Sequence, residues 1–268
     1  DRTKVMRVNK FIAFATVIGI CFGSRADIVV EVEHPDGSVE MLSTPKVAPA
    51  PVLLKKAEGD SETNLKLKEF NRIVIGQGIE VNYTIGDSNE MQAFAPAALL
   101  ENLSAKVKKG VLTFESLGEA PGTVKINLSA PEVKTITLTG NAVLAFNGTY
   151  KLPGQLITML SGSSSLTFRD GVQLHELDAK VTGHSGLNFD KTLIVRDADI
   201  HILGRSEATL NGVNAAVFTL ETSGTSTATV SGKVHYGKLE ANSSSHINAS
   251  GMVSDSLKKV AMPLSTID

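Results

Sequence analysis

From Leu65 almost to the end of the chain, apolar and polar residues alternate one by one. Alternation with a period of two marks strands that bury one face. The 3.6-residue rhythm of a helix shows only in short stretches such as PAALLENL, residues 96–103. Glycine punctuates the alternation at regular intervals. The windows GNAVLAF from Gly140, GSSSLTF from Gly162, GHSGLNF from Gly183, GRSEATL from Gly204, GTSTATV from Gly224 and SSSHINA from Ser243 superimpose, at spacings of 22, 21, 21, 20 and 19 residues. Two positions after the start stand Ala142, Ser164, Ser185, Ser206, Ser226 and Ser245. Four after stand Leu144, Leu166, Leu187, Ala208, Ala228 and Ile247, and six after stand Phe146, Phe168, Phe189, Leu210, Val230 and Ala249.

A repeat of about 20 residues is one supersecondary unit that cannot bury its apolar face alone, so the units must stack. Stacking sets equivalent side chains one above the other at the strand spacing of about 4.8 Å. The phenylalanines then form an internal aromatic column. The Ala/Ser column lies just inside the glycine corner, where the serine hydroxyls serve backbone groups at the bend. A second corner falls at Asn147-Gly148, Asn211-Gly212, Ser231-Gly232 and Ser250-Gly251. Two clear strands and a looser third per coil predict an all-β fold, a three-sided parallel β-helix over residues 65–251. Residues 252–268 are expected to be a C-terminal cap or tail.

The N-terminal part reads differently. DIVVEVEHPDGSVEML, residues 27–42, holds two strand-like runs around Pro35-Asp36-Gly37, a hairpin signal. Residues 43–64 are proline-containing and read as a linker, so 27–64 together predict an N-terminal hairpin and linker. Before it, Arg7 and Lys10 precede an apolar run from Phe11 to Phe22, and Ser24 and Ala26 give a small-x-small end. These are the three parts of a secretory signal peptide, residues 1–26, with residues 1–5 expected to lie upstream of the start at Met6. The apolar run is too short to span a bilayer comfortably, so no stable membrane span is expected after cleavage.

The charge balance changes once that segment is removed. Of 26 Lys+Arg five precede residue 27, and of 28 Asp+Glu one does, which leaves 21 positive against 27 negative charges. An acidic chain without a basic stripe excludes nucleic acid as a partner on electrostatic grounds. The one cysteine, Cys21, lies inside the predicted signal, so no disulfide is expected.

FNRIVIGQGIEVNYTIGD (70–87), LLENLSAKVKKGVLTFES (99–116) and the Gly-x-Ser coils together resemble the bacterial putative autotransporter-adhesin head GIN domain family. The resemblance spans about residues 66–251. It implies an exported envelope protein of β-helical fold and supplies no catalytic residues. The localisation it implies is the periplasm, the outer cell surface or the medium of a Gram-negative bacterium.

The chemical motifs are thin. GQGIEV at 76–81 has Val81 where a dinucleotide fingerprint has its third glycine, and a strand follows where a helix is needed. GHSG at 183–186 lacks the last glycine of a nucleophile elbow, and Ser185 belongs to the serine column. His34, His175, His184, His201, His235 and His246 show no metal-ligand spacing and read as surface residues. No cofactor, metal or catalytic set is therefore expected. The best constellation lies outside the coils, before each glycine, where Asp178 and Asp199 should stand on neighbouring rungs beside Lys180, His201 and Glu221. Such a face suits a surface-binding role toward an envelope or extracellular glycan or protein, by a non-enzymatic adhesin-like protein. Two alternatives share the pattern. A carbohydrate-active β-helix enzyme, lyase or hydrolase, would use Asp178 and Asp199 as its carboxylate pair. A self-assembling envelope scaffold would stack open coil ends.

Overall fold

The structure, a computed structural model, describes residues 53–116 and 122–268 in full and the backbone of residues 29–33 and 39–43. The predicted signal peptide lies outside the described residues. The chain divides into two compact units, Asp1–Pro49 and Ala50–Asp268. In the first, β1 (Val29–Glu33) pairs antiparallel with β2 (Val39–Ser43), Val29 opposite Ser43.

The second unit is almost entirely strand. It opens with β3 (Ser61–Lys66), β4 (Arg72–Ile75), β5 (Ile79–Ile85), β6 (Glu90–Ala95), helix α1 (Ala97–Glu101), β7 (Leu103–Lys108), β8 (Val111–Ser116), β9 (Val124–Ala130), β10 (Thr135–Leu138) and β11 (Val143–Asn147). The regular coils follow as β12 (Tyr150–Leu160), β13 (Ser165–Phe168), β14 (Val172–Val181), β15 (Gly186–Phe189) and β16 (Leu193–Gly204). β17 (Glu207–Gly224), β18 (Thr227–Ala241), β19 (His246–Ala261) and β20 (Thr266–Ile267) complete the chain.

These strands wind a parallel β-solenoid with three sides. The first side runs into the corner glycine: β10, then Gln155–Leu160, Glu176–Val181, Asp197–Ile202, Val217–Thr222 and Tyr236–Ala241. The second side leaves that glycine and carries β11, β13, β15 and the starts of β17, β18 and β19. The third side holds Tyr150–Leu152, Val172–Leu174, Leu193–Val195 and their successors. The register pairs each coil with the next as the sequence columns require, Leu144 with Leu166 and Leu166 with Leu187.

The columns are buried as predicted. Phe146, Phe168 and Phe189 stack with ring centroids 4.6 and 4.8 Å apart and planes inclined by 20° and 9°. Tyr83 extends the stack below Phe146 at 4.5 Å. Its hydroxyl donates to the Ala130 carbonyl at 2.8 Å, so a phenol can sit in an apolar column without an orphaned polar group. Ser164, Ser185, Ser206, Ser226 and Ser245 are all buried at the corner. Ser226 Oγ donates toward the carbonyls of Ile202 and Ser223, each at 2.9 Å, and accepts from the Ser223 amide. Ser265 repeats the motif on the last coil, donating to the Ala241 carbonyl at 2.7 Å.

Two expectations change. Residues 53–64 were expected to belong to a linker, but they are part of the solenoid unit. Leu54 is held through both its amide and its carbonyl by the Asn127 carboxamide, at 2.9 Å each, and β3 pairs antiparallel with β6. Few apolar residues mark this segment, because it lies on the outside and uses hydrogen bonds in place of a buried stripe. Residues 252–268, expected as a cap or tail beyond a solenoid ending at residue 251, form a further coil, β19 pairing in register with β18 as far as Ala261 and β20 with the start of β19.

The stacking order also departs from chain order. β8 and β9 lie beneath β4 and β5, and the chain then passes back to place β10 and β11 above them. β7 on the first side, and β6 with β3 on the second, close this lower end with antiparallel strands.

Candidate functional site

Because the first side is a parallel ladder, its outward residues form straight columns. Asp178 is in register with Asp199, and Asp199 with Thr219. Lys180 is in register with His201, and His201 with Glu221. All five predicted residues therefore share one exposed face. The tightest part of the cluster is His201, whose Nε2 lies 3.3 Å from Asp199 Oδ1 and whose Nδ1 lies 3.1 Å from Glu221 Oε2. The side chain of Asn242 donates to the other Glu221 oxygen at 3.2 Å, fixing that carboxylate from the next rung. Sequence columns did not flag Asn242, because it sits past the end of the first-side strand, at the corner. Among the described residues, the side chains of Asp178 and Lys180 enter no ion pair or hydrogen bond, and only their main chain is paired, in the ladder.

This face is open. The Asp199 side chain is 59% exposed, and the columns lie on the outer surface of the strands. Among the described residues no three metal-ligating side chains are grouped to hold an ion. Ser185, in the GHSG segment, is buried and within 3.2 Å of Ser164 Oγ, a ladder contact that leaves no room for a substrate. His235 and His246 repeat the arrangement seen at His201, each facing a carboxylate of the following coil, Asp255 and Asp268. Of the three tyrosines, Tyr83 and Tyr150 are buried, and burial pushes both phenols well above the usual range. Tyr236 alone presents its ring to solvent.

A concavity lies elsewhere among the described residues. A groove of about 600 Å³ runs over the outer face of β3, β6 and β9, walled by Leu53. Its floor carries Asn64, Gln92 and Asn127, which the antiparallel registers place side by side. No sequence signal marks this set, since the three amides are far apart in the chain and their strands pair antiparallel.

The architecture is that of a parallel β-solenoid domain, and the comparisons agree on that fold. The model of the family described as putative auto-transporter adhesin, head GIN domain, matches residues 69–189 and 172–261, and the chain belongs to that family. A putative adhesin from Bacteroides fragilis has a similar solved structure, with a TM-score of 0.67 at 13% identity over 80% of this chain and 98% of the other. A putative adhesin from Parabacteroides distasonis gives 0.60 at 14% identity, over 80% of this chain and 99% of the other. A protein of the same organism described as a putative lipid binding protein gives 0.54 at 14% identity, over 81% and 98%. At these identities the likeness establishes the fold. No curated protein matches the chain. Among the described residues no helix is long and apolar enough to cross a membrane.

Proposed function

We propose that this protein is an exported, non-enzymatic binding protein of the cell envelope, which presents the first side of its solenoid to an envelope or extracellular partner. The observation that carries the reading is the registered cluster Asp178, Asp199, Lys180, His201 and Glu221, fixed at rung spacing on an open face. Rigid columns hold charge in place without ordering cost at the moment of binding, which favours recognition of an extended, repeating partner. Catalysis of glycan cleavage asks for more. The carboxylate pair must flank a bond in a site that limits water, and an open strand face supplies no such enclosure. The family name and the adhesin-type neighbours support the same reading.

A binding array of polysaccharides and envelope components tests it. Wild-type protein should retain at least one component, and Asp199→Asn with Glu221→Gln should release it. Polysaccharide turnover that Asp199→Asn abolishes would overturn the non-enzymatic reading in favour of the carbohydrate-active one. Export is tested separately. Mass spectrometry of the exported protein should find Asp27 at the N-terminus, and a mature form that keeps Phe11–Phe22 would count against a cleaved signal.

A further inference from the structure

The groove above β3, β6 and β9 is built more deliberately than a chance fold of the surface. Asn64 and Gln92 are opposite each other across the β3–β6 pair. Both carboxamide nitrogens donate to the same oxygen of Glu62, Asn64 at 2.9 Å and Gln92 at 2.8 Å. A carboxylate only accepts, so this contact fixes which end of each amide is which. The two side-chain carbonyl oxygens are left without partners among the described residues. One rung on, Asn127 uses its whole carboxamide to hold Leu54, and this sets Leu53 as an aliphatic wall along the groove. Thr84 and Ser129 add hydroxyls to the lining, and the Thr84 hydroxyl is buried without a partner.

We propose that this groove binds an uncharged oligosaccharide, with the Asn64 and Gln92 carbonyls accepting sugar hydroxyls and Leu53 covering one face of a sugar ring. The inference rests on the reading of the protein as an envelope-binding module and names a second site and its ligand class. Charge does not favour acidic sugars, because Glu62 and Glu90 border the amides, against Lys66 in the lining and Lys56 near Glu62. An extended peptide fits less well. β6 is paired on both edges, with β3 and β9, and β9 likewise with β5 and β6, so an incoming strand would find free main chain only along the outer edge of β3, beside the amides and not over them. Side-chain amides and hydroxyls are what it presents, and these suit a polyol.

The experiment is calorimetric titration of the full chain with cellohexaose, maltohexaose and chitohexaose. A hexagalacturonate and an extended peptide of mixed sequence serve as contrasts. At least one neutral hexasaccharide should bind, and Asn64→Ala and Gln92→Ala should each weaken it by about tenfold, the loss of one hydrogen bond. Glu62→Gln should weaken it as well, since a carboxamide at that position no longer dictates the amide orientation. All three residues lie at the surface, so thermal unfolding of the variants should match the wild type. Neutral-sugar binding that survives these substitutions but is lost in Asp199→Asn would place the ligand on the first side; it would overturn the groove proposal and leave the proposed function standing. Binding of only the acidic sugar or only the peptide would also overturn it. If neither these ligands nor the envelope array bind, both readings fail together.

Discussion

Phe168 shows how one side chain holds three coils together. It is 1% exposed and lies between the rings of Phe146 and Phe189, each within stacking distance. Thr167, its neighbour, points outward and makes no side-chain hydrogen bond among the described residues. Phe168→Ala should therefore cost about 3–5 kcal/mol in chemical denaturation, the usual loss for a buried phenylalanine. Thr167→Ala should stay within about 0.5 kcal/mol. Equal losses would mean that the two faces had been exchanged, since a shift of one residue swaps inward for outward. Asp170 works at the other kind of position, the corner between the second and third sides. Its carboxylate binds Lys191 Nζ at 2.7 Å and the Gly148 amide at 2.9 Å, and these hold it below the usual carboxylate range, Lys191 first. The sign follows from that lowered value. Above about pH 4, where the unfolded chain has also lost the proton, the contribution is fully present. It fades as pH falls through the lower folded value. Asp170→Asn should therefore flatten the acid limb of the stability–pH profile, while the wild type loses stability there.

At the level of the strand and its corner, two glycines with similar backbones make different demands. Gly183 has φ +82°, and a Cβ on it would lie 2.5 Å from the Gly162 carbonyl oxygen of the coil below. Gly148 has φ +87° with nothing within 4 Å of such a Cβ. Gly148→Ala should cost only the left-handed backbone penalty of about 1–2 kcal/mol. Gly183→Ala adds a clash against main chain, which cannot move aside, of about 1–3 kcal/mol more. Similar melting losses for the two variants would show that the stacked corners are looser than the geometry implies. The corner columns and the aromatic stack could be read from the sequence because each rung repeats the same constraint, and so could the Asp178–Asp199 alignment. The order of the lower coils could not. β8 and β9 alternate like any other strands, and nothing in a strand's pattern says whether its neighbour is the coil before it or two before it. The same holds for the groove, where Asn64, Gln92 and Asn127 meet through antiparallel pairings, and for Asn242, which reaches Glu221 from the next corner.

Over the whole solenoid, the two ends are finished by different means, and that decides whether the molecule stacks on itself. The lower end is closed by antiparallel strands and by α1, whose Leu99 is buried against the core. The upper end keeps its parallel edge, but the last coil changes the residues that point inward. The column Ile200, Leu220, Leu239 ends in Lys259, and the column through Val234 ends in Ser254. Lys259 Nζ donates to the Asp268 carbonyl at 3.1 Å, so a charge sits where the next coil's apolar residue would have to pack. Inward-pointing charge on an edge strand is a recognised barrier to edge-to-edge pairing. It outweighs the apolar surface left at that end, where Val253, Met262 and Leu264 are exposed. Wild-type protein should therefore remain a single species in light scattering as concentration rises. Lys259→Leu continues the apolar column to the open edge and should produce concentration-dependent association, at little cost to the fold because the residue is exposed. Filaments of the wild type would reverse the argument. They would show that Lys259 fails to block the edge, and the scaffold alternative would then account for the open coil better than a monomeric binding module does.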